Sequence, residues 1–147
     1  MKYLFDSSTI FRAIKENKID LLTGNYTLEI ARYELGNIIW KEHFLQAKIS
    51  MEESEMIAKT VKHALNIMEV LQIACNEEEI LKTATQLKIT FYDASYAYFT
   101  KAKELQLITE DLRLMKKITP FINVSMLNDI EEQNGEEPTY LRLYKPD

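Results

Sequence analysis

The chain has 147 residues, 46% of them hydrophobic and 28% charged, with a formal net charge of −5 and a pI near 5.2. That length suits one domain whose core can stand without cross-links, and a single cysteine, Cys75, excludes an internal disulfide framework. No apolar run approaches the roughly 18 residues of a membrane span, and "MKYLFDSS" is too short an apolar start for a secretory leader. A reducing cytoplasm is therefore the expected setting, and the acidic balance argues weakly against a nucleic-acid partner.

The predicted elements alternate. "KYLF" reads as a buried strand, and "DSSTIFRAIKEN" as a helix capped by Asp6, Ser7 or Ser8, with Ile10, Phe11 and Ile14 on one face. "DLLTGNYTL" carries a Gly-Asn turn signal and a short strand. "LEIARYELGNIIWKEHFL" is an amphipathic helix. A second helix opens on the capping box Ser50–Glu53 and runs through "EMIAKTVKHALNIME". "VLQIAC" follows as a strand. "EEEILKTATQLK" is a helix with acids at its start and a lysine at its end, as the helix dipole prefers. "TFYDASYAYFTKAKEL" is another helix, "QLIT" a strand, "DLRLMKKI" a short helix and "FINVSML" a last strand. The pattern predicts an α/β sandwich with a mostly parallel sheet over residues 1–130. Residues 131–147, broken by Gly135 and Pro138, are read as a tail or arm.

Two apolar strands run straight into acids: "KYLFD" ends at Asp6, and "LITED" ends at Glu110 and Asp111. In an open parallel sheet, ligands bind beyond the carboxyl ends of the strands. Glu34, inside the second helix region, and Asp93, in the first turn of the helix before "QLIT", can join them. Each acid also has a plain structural reading. Asp6 and Asp111 would cap the helices that follow them, Asp93 would complete a T-x-x-D box with Thr90, and Glu34 would be a solvated helix residue. Convergence of all four would be costly: two unit charges 4 Å apart repel by about 4 kcal/mol at an effective dielectric of 20. Such a cluster must raise its pKa values or hold a cation. An all-oxygen set suits Mg²⁺ or Mn²⁺. Zinc is disfavoured, because His43 and His63 lack ligand spacing and Cys75 stands alone. A metal held by carboxylates can activate water against a phosphodiester, and the metal then offsets the objection raised by the acidic pI.

The stretches "YLFDSS", "YELGN", "TFYDASYAYFTKAKEL" and "LITEDLRL", in this order, resemble the PIN domain of small VapC-like ribonuclease toxins and related solitary PIN proteins. The resemblance spans about residues 2–127. It implies a three-layer sandwich with a parallel sheet of about five strands flanked by helices. It implies that Asp6, Glu34, Asp93 and Asp111 form the acidic quartet that binds metal and carries catalysis. Ser8, Asn37 and Thr109 match accessory positions, and Glu110 is a further candidate accessory. The implied activity is Mg²⁺- or Mn²⁺-dependent endonuclease cleavage of RNA, leaving 5′-phosphate and 3′-hydroxyl ends. The implied partners are the RNA substrate, an antitoxin chain and a second copy in a homodimer.

Arg12, Lys15, Arg113, Lys116 and Lys117 are candidate RNA-binding residues because they flank Asp6 and Asp111. Tyr92, Tyr96, Tyr98 and Phe99 read as core and interface rather than as a base-stacking platform, and Trp40 as core or interface. A housekeeping RNA-processing nuclease and a non-catalytic binding module are the alternative functions. A phosphorelay receiver domain is excluded: no paired acids follow the first strand, and no lysine stands near the end of the last.

Overall fold

In the computed structural model, which describes residues 2–133, five parallel strands form one sheet in the order β3-β2-β1-β4-β5. The elements in chain order are β1 (Tyr3–Phe5), α1 (Ser7–Lys15), β2 (Tyr26–Leu28), α2 (Ile30–Trp40), α3 (Met51–Asn66), β3 (Glu69–Leu71), α4 (Glu77–Leu87), α5 (Phe91–Ala102), β4 (Gln106–Ile108), α6 (Leu112–Ile118), β5 (Val124–Ser125) and α7 (Leu127–Gln133). The strands are short, and the central β1 and β4 are buried on both faces, so side-chain alternation sorts them between two cores. Tyr3, Phe5 and Ile108 face α1, α2, α3 and α7; Leu4, Leu28 and Leu107 face α4, α5 and α6.

This two-sided arrangement follows from right-handed crossovers. The chain winds β1-β2-β3 with its helices on one face. It then returns to β4 and β5 with helices on the other. The winding reverses between β1 and β4, which leaves the crevice of a doubly wound sheet at their carboxyl ends.

Several predicted elements shrink. Within "DLLTGNYTL" only Tyr26–Leu28 is strand, while Ile19–Leu22 makes a 3₁₀ turn and Gly24 takes φ +72° at the bend. "VLQIAC" contributes only its first two residues to β3, and Cys75 adopts φ +73° beyond it. The helix predicted over "LEIARYELGNIIWKEHFL" is α2 followed by a wider π-helical turn over Lys41–Leu45, where Trp40 stacks on Phe44 at 5.6 Å on the surface rather than in the core. The Ser50–Glu53 capping box is present on α3.

The largest departure is at the end. "FINVSML" yields only the two residues of β5, and its last leucine opens α7, which runs through the expected boundary at residue 130. Two carboxylates drive the change. Asp129 accepts from the Met126 N–H at 2.9 Å, and Glu110 accepts from the Leu127 N–H at 3.0 Å. Leu127 and Ile130 then bury against the first core. The rest of the predicted tail, residues 134–147, lies outside the described residues.

Leu4 and Leu107 are fully buried and paired across β1 and β4. Leu107→Ala is expected to destabilise the chain by about 2–5 kcal/mol. Urea denaturation should show a lower midpoint at an unchanged m-value.

Candidate active site

Asp6 is the first residue after β1. Its backbone is extended, and its N–H continues the sheet to the Ile108 carbonyl at 3.2 Å. One carboxylate oxygen, Oδ1, accepts from the Thr9 N–H at 3.0 Å, which caps α1, and from the Ser8 hydroxyl at 2.7 Å. The other, Oδ2, accepts from the Thr109 hydroxyl. The Thr109 oxygen in turn accepts from the Asp111 N–H at 3.0 Å. Asp111 caps α6 by accepting from the Arg113 and Leu114 N–H groups at 3.0 and 3.1 Å. The cap readings of both acids are therefore correct, and capping is what aims these carboxylates at the end of the sheet.

Glu34 sits one turn inside α2, and its Oε1 accepts from the Tyr96 hydroxyl at 2.9 Å. Tyr96 is buried on α5, three residues beyond Asp93 and so on the same helix face. Thr90 caps α5 by accepting from the Asp93 N–H at 3.1 Å. Glu34, Asn37, Thr90 and Asp93 line one hollow; Thr90, Asp93 and Asp111 line the adjoining one, together with Lys88, Arg113 and Lys117. The two hollows adjoin, sharing Thr90 and Asp93, and together make up the acid cleft.

The acids feel one another. Burial pushes the Asp6 carboxyl above its ordinary value, against the pull of its bonds to Thr109, Ser8 and Thr9. Burial also raises Glu34, and the charges of Asp6 and Asp93 add to the rise. Asp93 is raised by burial and then by Asp111. Burial and the neighbouring Glu34 carboxylate push the Tyr96 phenol far up, so it stays a hydrogen-bond donor. As they stand, no three acidic, histidine or cysteine side chains among the described residues close to metal-ligand spacing. The donor chemistry still fits a hard divalent cation: every candidate ligand is an oxygen, and mutual repulsion is what such an ion relieves.

The remaining predicted residues divide. Ser8 and Thr109 bond Asp6, and Asn37 lines the cleft. Glu110 turns the other way. It bonds Arg12 at 2.8 Å and caps α7. Arg12, expected to meet RNA, is committed to Glu16 at 2.6 Å, Glu110 at 2.8 Å and Asn128 at 2.8 Å. Lys15 pairs with Glu42 at 3.3 Å. Both serve contacts between elements rather than the cleft. Arg113 and Lys117 do line it, whereas Lys116 is exposed outside its lining. Tyr96 and Phe99 are core as expected, and Tyr92 is exposed. The residue that sequence reasoning missed is Tyr96 as the partner of Glu34; its i, i+3 spacing from Asp93 was the available signal.

An all-parallel five-stranded sheet flanked by helices on both faces is the fold of a PIN domain. No protein-family model matches the chain. It is 31% identical over 129 residues to exonuclease VapC9 of Pyrobaculum aerophilum, an alignment covering 86% of this chain and 93% of that protein. The crystal structure of PAE2754 from the same organism superposes with a TM-score of 0.75 at 24% identity, covering 90% of this chain and 94% of that one. VapBC2 from Rickettsia felis, solved bound to a DNA fragment from their promoter, superposes at 0.60 and 18% identity, covering 86% and 98%. These two structures share the fold. The chain belongs to the VapC family of PIN-domain proteins.

The raised carboxyls set a stability trend for the metal-free chain. Between the unfolded and folded pKa of each acid, the folded state holds more protons. The contribution of Glu34 and Asp93 to stability is therefore highest in mild acid and is lost as pH rises through their folded pKa values. In EDTA, Glu34→Gln and Asp93→Asn should each raise Tm at pH 7 and flatten the fall of Tm as pH rises above the ordinary carboxylate range. Thermal melts across that rise in pH would contradict the repulsion if either variant melted lower than wild type.

Proposed function

We propose that the chain is a divalent-metal-dependent endoribonuclease that hydrolyses RNA phosphodiester bonds, and that it is the toxin of a type II toxin–antitoxin pair. The carrying observation is the acid cleft lined by Glu34, Asp93 and Asp111, with buried Asp6 close enough to raise Glu34. The reading is supported by the relative named exonuclease VapC9, 93% of whose length is matched. A VapBC complex on the same fold supports an antitoxin partner. A homodimer is part of the same reading.

Asp6, Glu34, Asp93 and Asp111 would hold Mg²⁺ or Mn²⁺, which when bound supplies a water of lowered pKa and a counter-charge for the phosphodiester. The chain's own contribution is orientation. Thr109, Ser8 and the Thr9 N–H fix both oxygens of Asp6, and Tyr96 fixes one oxygen of Glu34, so these ligands are held before substrate arrives. Arg113 and Lys117, at the Asp111 end, would neutralise phosphates beside the one that is cut. Asn37, on the Glu34 face of α2, offers an amide to a phosphate oxygen or a water. The products would carry 5′-phosphate and 3′-hydroxyl ends.

The name of the curated relative favours a second reading, attack from a chain end. A circular RNA separates the two, because only an endonuclease opens it. With Mg²⁺ or Mn²⁺ the wild type is expected to linearise and then fragment the circle, and EDTA should abolish this. Losing an outer-shell partner of a metal ligand typically costs 10- to 100-fold, so losing a ligand itself should cost more than about a hundredfold. Asp93→Asn should show that loss. Cleavage equal in wild type and Asp93→Asn would reject the site.

The double duty of Asp111 gives a sharper test. Asp111→Asn keeps an oxygen for the α6 cap, so it should lose cleavage while melting near wild type. Asp111→Ala should lose cleavage and also about 1 kcal/mol of stability, read from urea denaturation.

A further inference from the structure

The acid cleft does not stop at Glu34. Ile30, Tyr33 and Tyr92 line the Glu34–Asp93 hollow and also line a third hollow beyond it, of about 480 Å³. That size falls within the roughly 300–1,000 Å³ typical of small-molecule sites. Its floor is apolar, with Leu71, Ile73 and Phe91. Tyr33 and Tyr92 stand at the junction and are 74% and 60% exposed. An exposed tyrosine on a helix gains nothing for the core, and two of them share one hollow beside the acids.

The charge along these adjoining hollows is asymmetric. Lys88, Arg113 and Lys117 line the end beyond Asp111. At the far end, beyond Tyr92, Glu77 lines the hollow together with Glu29, which is paired with Arg32 at 3.1 Å. A phosphate is drawn to the first end rather than to the second. The far end instead offers what a neutral base uses: aromatic faces for stacking, with Gln72 and Glu77 at the rim to meet its amino and imino edges.

Resting on the nuclease reading above, we infer that Tyr33 and Tyr92 form a stacking subsite for one unpaired base, adjoining the phosphate to be cut. The strand is then laid with its neighbouring phosphates toward Arg113 and Lys117. A base in a duplex cannot leave its stack to enter the hollow without unpairing.

The test is an abasic scan. A short single-stranded RNA with one cleavage position is made complete and with one base removed at each position in turn. Initial rates below KM are measured with Mn²⁺ for wild type, Tyr33→Ala, Tyr92→Ala and Tyr92→Phe. Stacking of one base on an aromatic side chain is worth about 5- to 150-fold in affinity. Each alanine variant should therefore lose about tenfold on the complete RNA, and Tyr92→Phe should stay near wild type. One abasic position next to the cut should cost wild type the same factor and cost the alanine variants almost nothing more. Both tyrosines are exposed, so circular dichroism should show folded variants. The inference is overturned if no abasic position distinguishes wild type from the variants, or if an RNA paired through the cut is cleaved as fast as the single strand. A wild type that cuts nothing refutes the nuclease reading instead. Anisotropy of the same labelled RNAs, left uncut, then decides the subsite by the same pattern of losses. Tyrosine variants that bind every RNA as wild type does would leave this hollow to a protein partner and refute the base subsite.

Discussion

Asp6 has its carboxylate shut away from water beside the point where the sheet reverses its winding, and the organisation of the site depends on how that charge is accommodated. Three donors meet it: two from its own helix start and one from the extension of β4. The β4 donor, Thr109, is itself fixed, because its N–H bonds the Ser125 carbonyl at 3.1 Å and its hydroxyl oxygen receives the Asp111 N–H. One threonine therefore sets the position of Asp111 relative to Asp6. The neighbouring strand ends are tied down in the same way, with Thr9 and Thr27 hydroxyls bonding the carbonyls of Ile108 and Phe5. A buried anion that must keep all its donors is a strong constraint on register.

Much of this was legible in the sequence. The alternation of strands and helices gave the parallel sandwich. The acids after "KYLF" and "LIT" marked the crevice, since a strand that ends in a capping acid delivers that acid to the carboxyl edge. The cap reading and the site reading seemed to compete for Asp6, Asp93 and Asp111. In the fold the caps are present, and those at Asp93 and Asp111 stand at the rim of the cleft, so the cap reading does not count against the site reading.

What was not legible depended on contacts distant in sequence. Arg12 looked like a substrate cation because it follows Asp6 by two helical turns; only the fold brings Glu110 and Asn128 to it. The helix after β5 was hidden because its first-turn N–H groups are satisfied by Asp129 and by Glu110, the latter 17 residues upstream. Tyr96 read as core and is core, yet its hydroxyl needs a partner when buried, and that partner is Glu34. The strands were overestimated because apolar runs such as "VLQIAC" continue past the point where neighbouring backbone is available to pair.

The shortness of the strands also governs how this molecule can meet other chains. Among the described residues the sheet ends in β3, three residues long with an exposed glutamate at its start, and in β5, two residues long. An incoming extended peptide would find only one or two free ladder positions at either margin. Recruitment by strand addition, and the runaway edge-to-edge stacking that leads to fibres, are both suppressed by this truncation. Association must then be read from side-chain surfaces and helices, where it can be made selective.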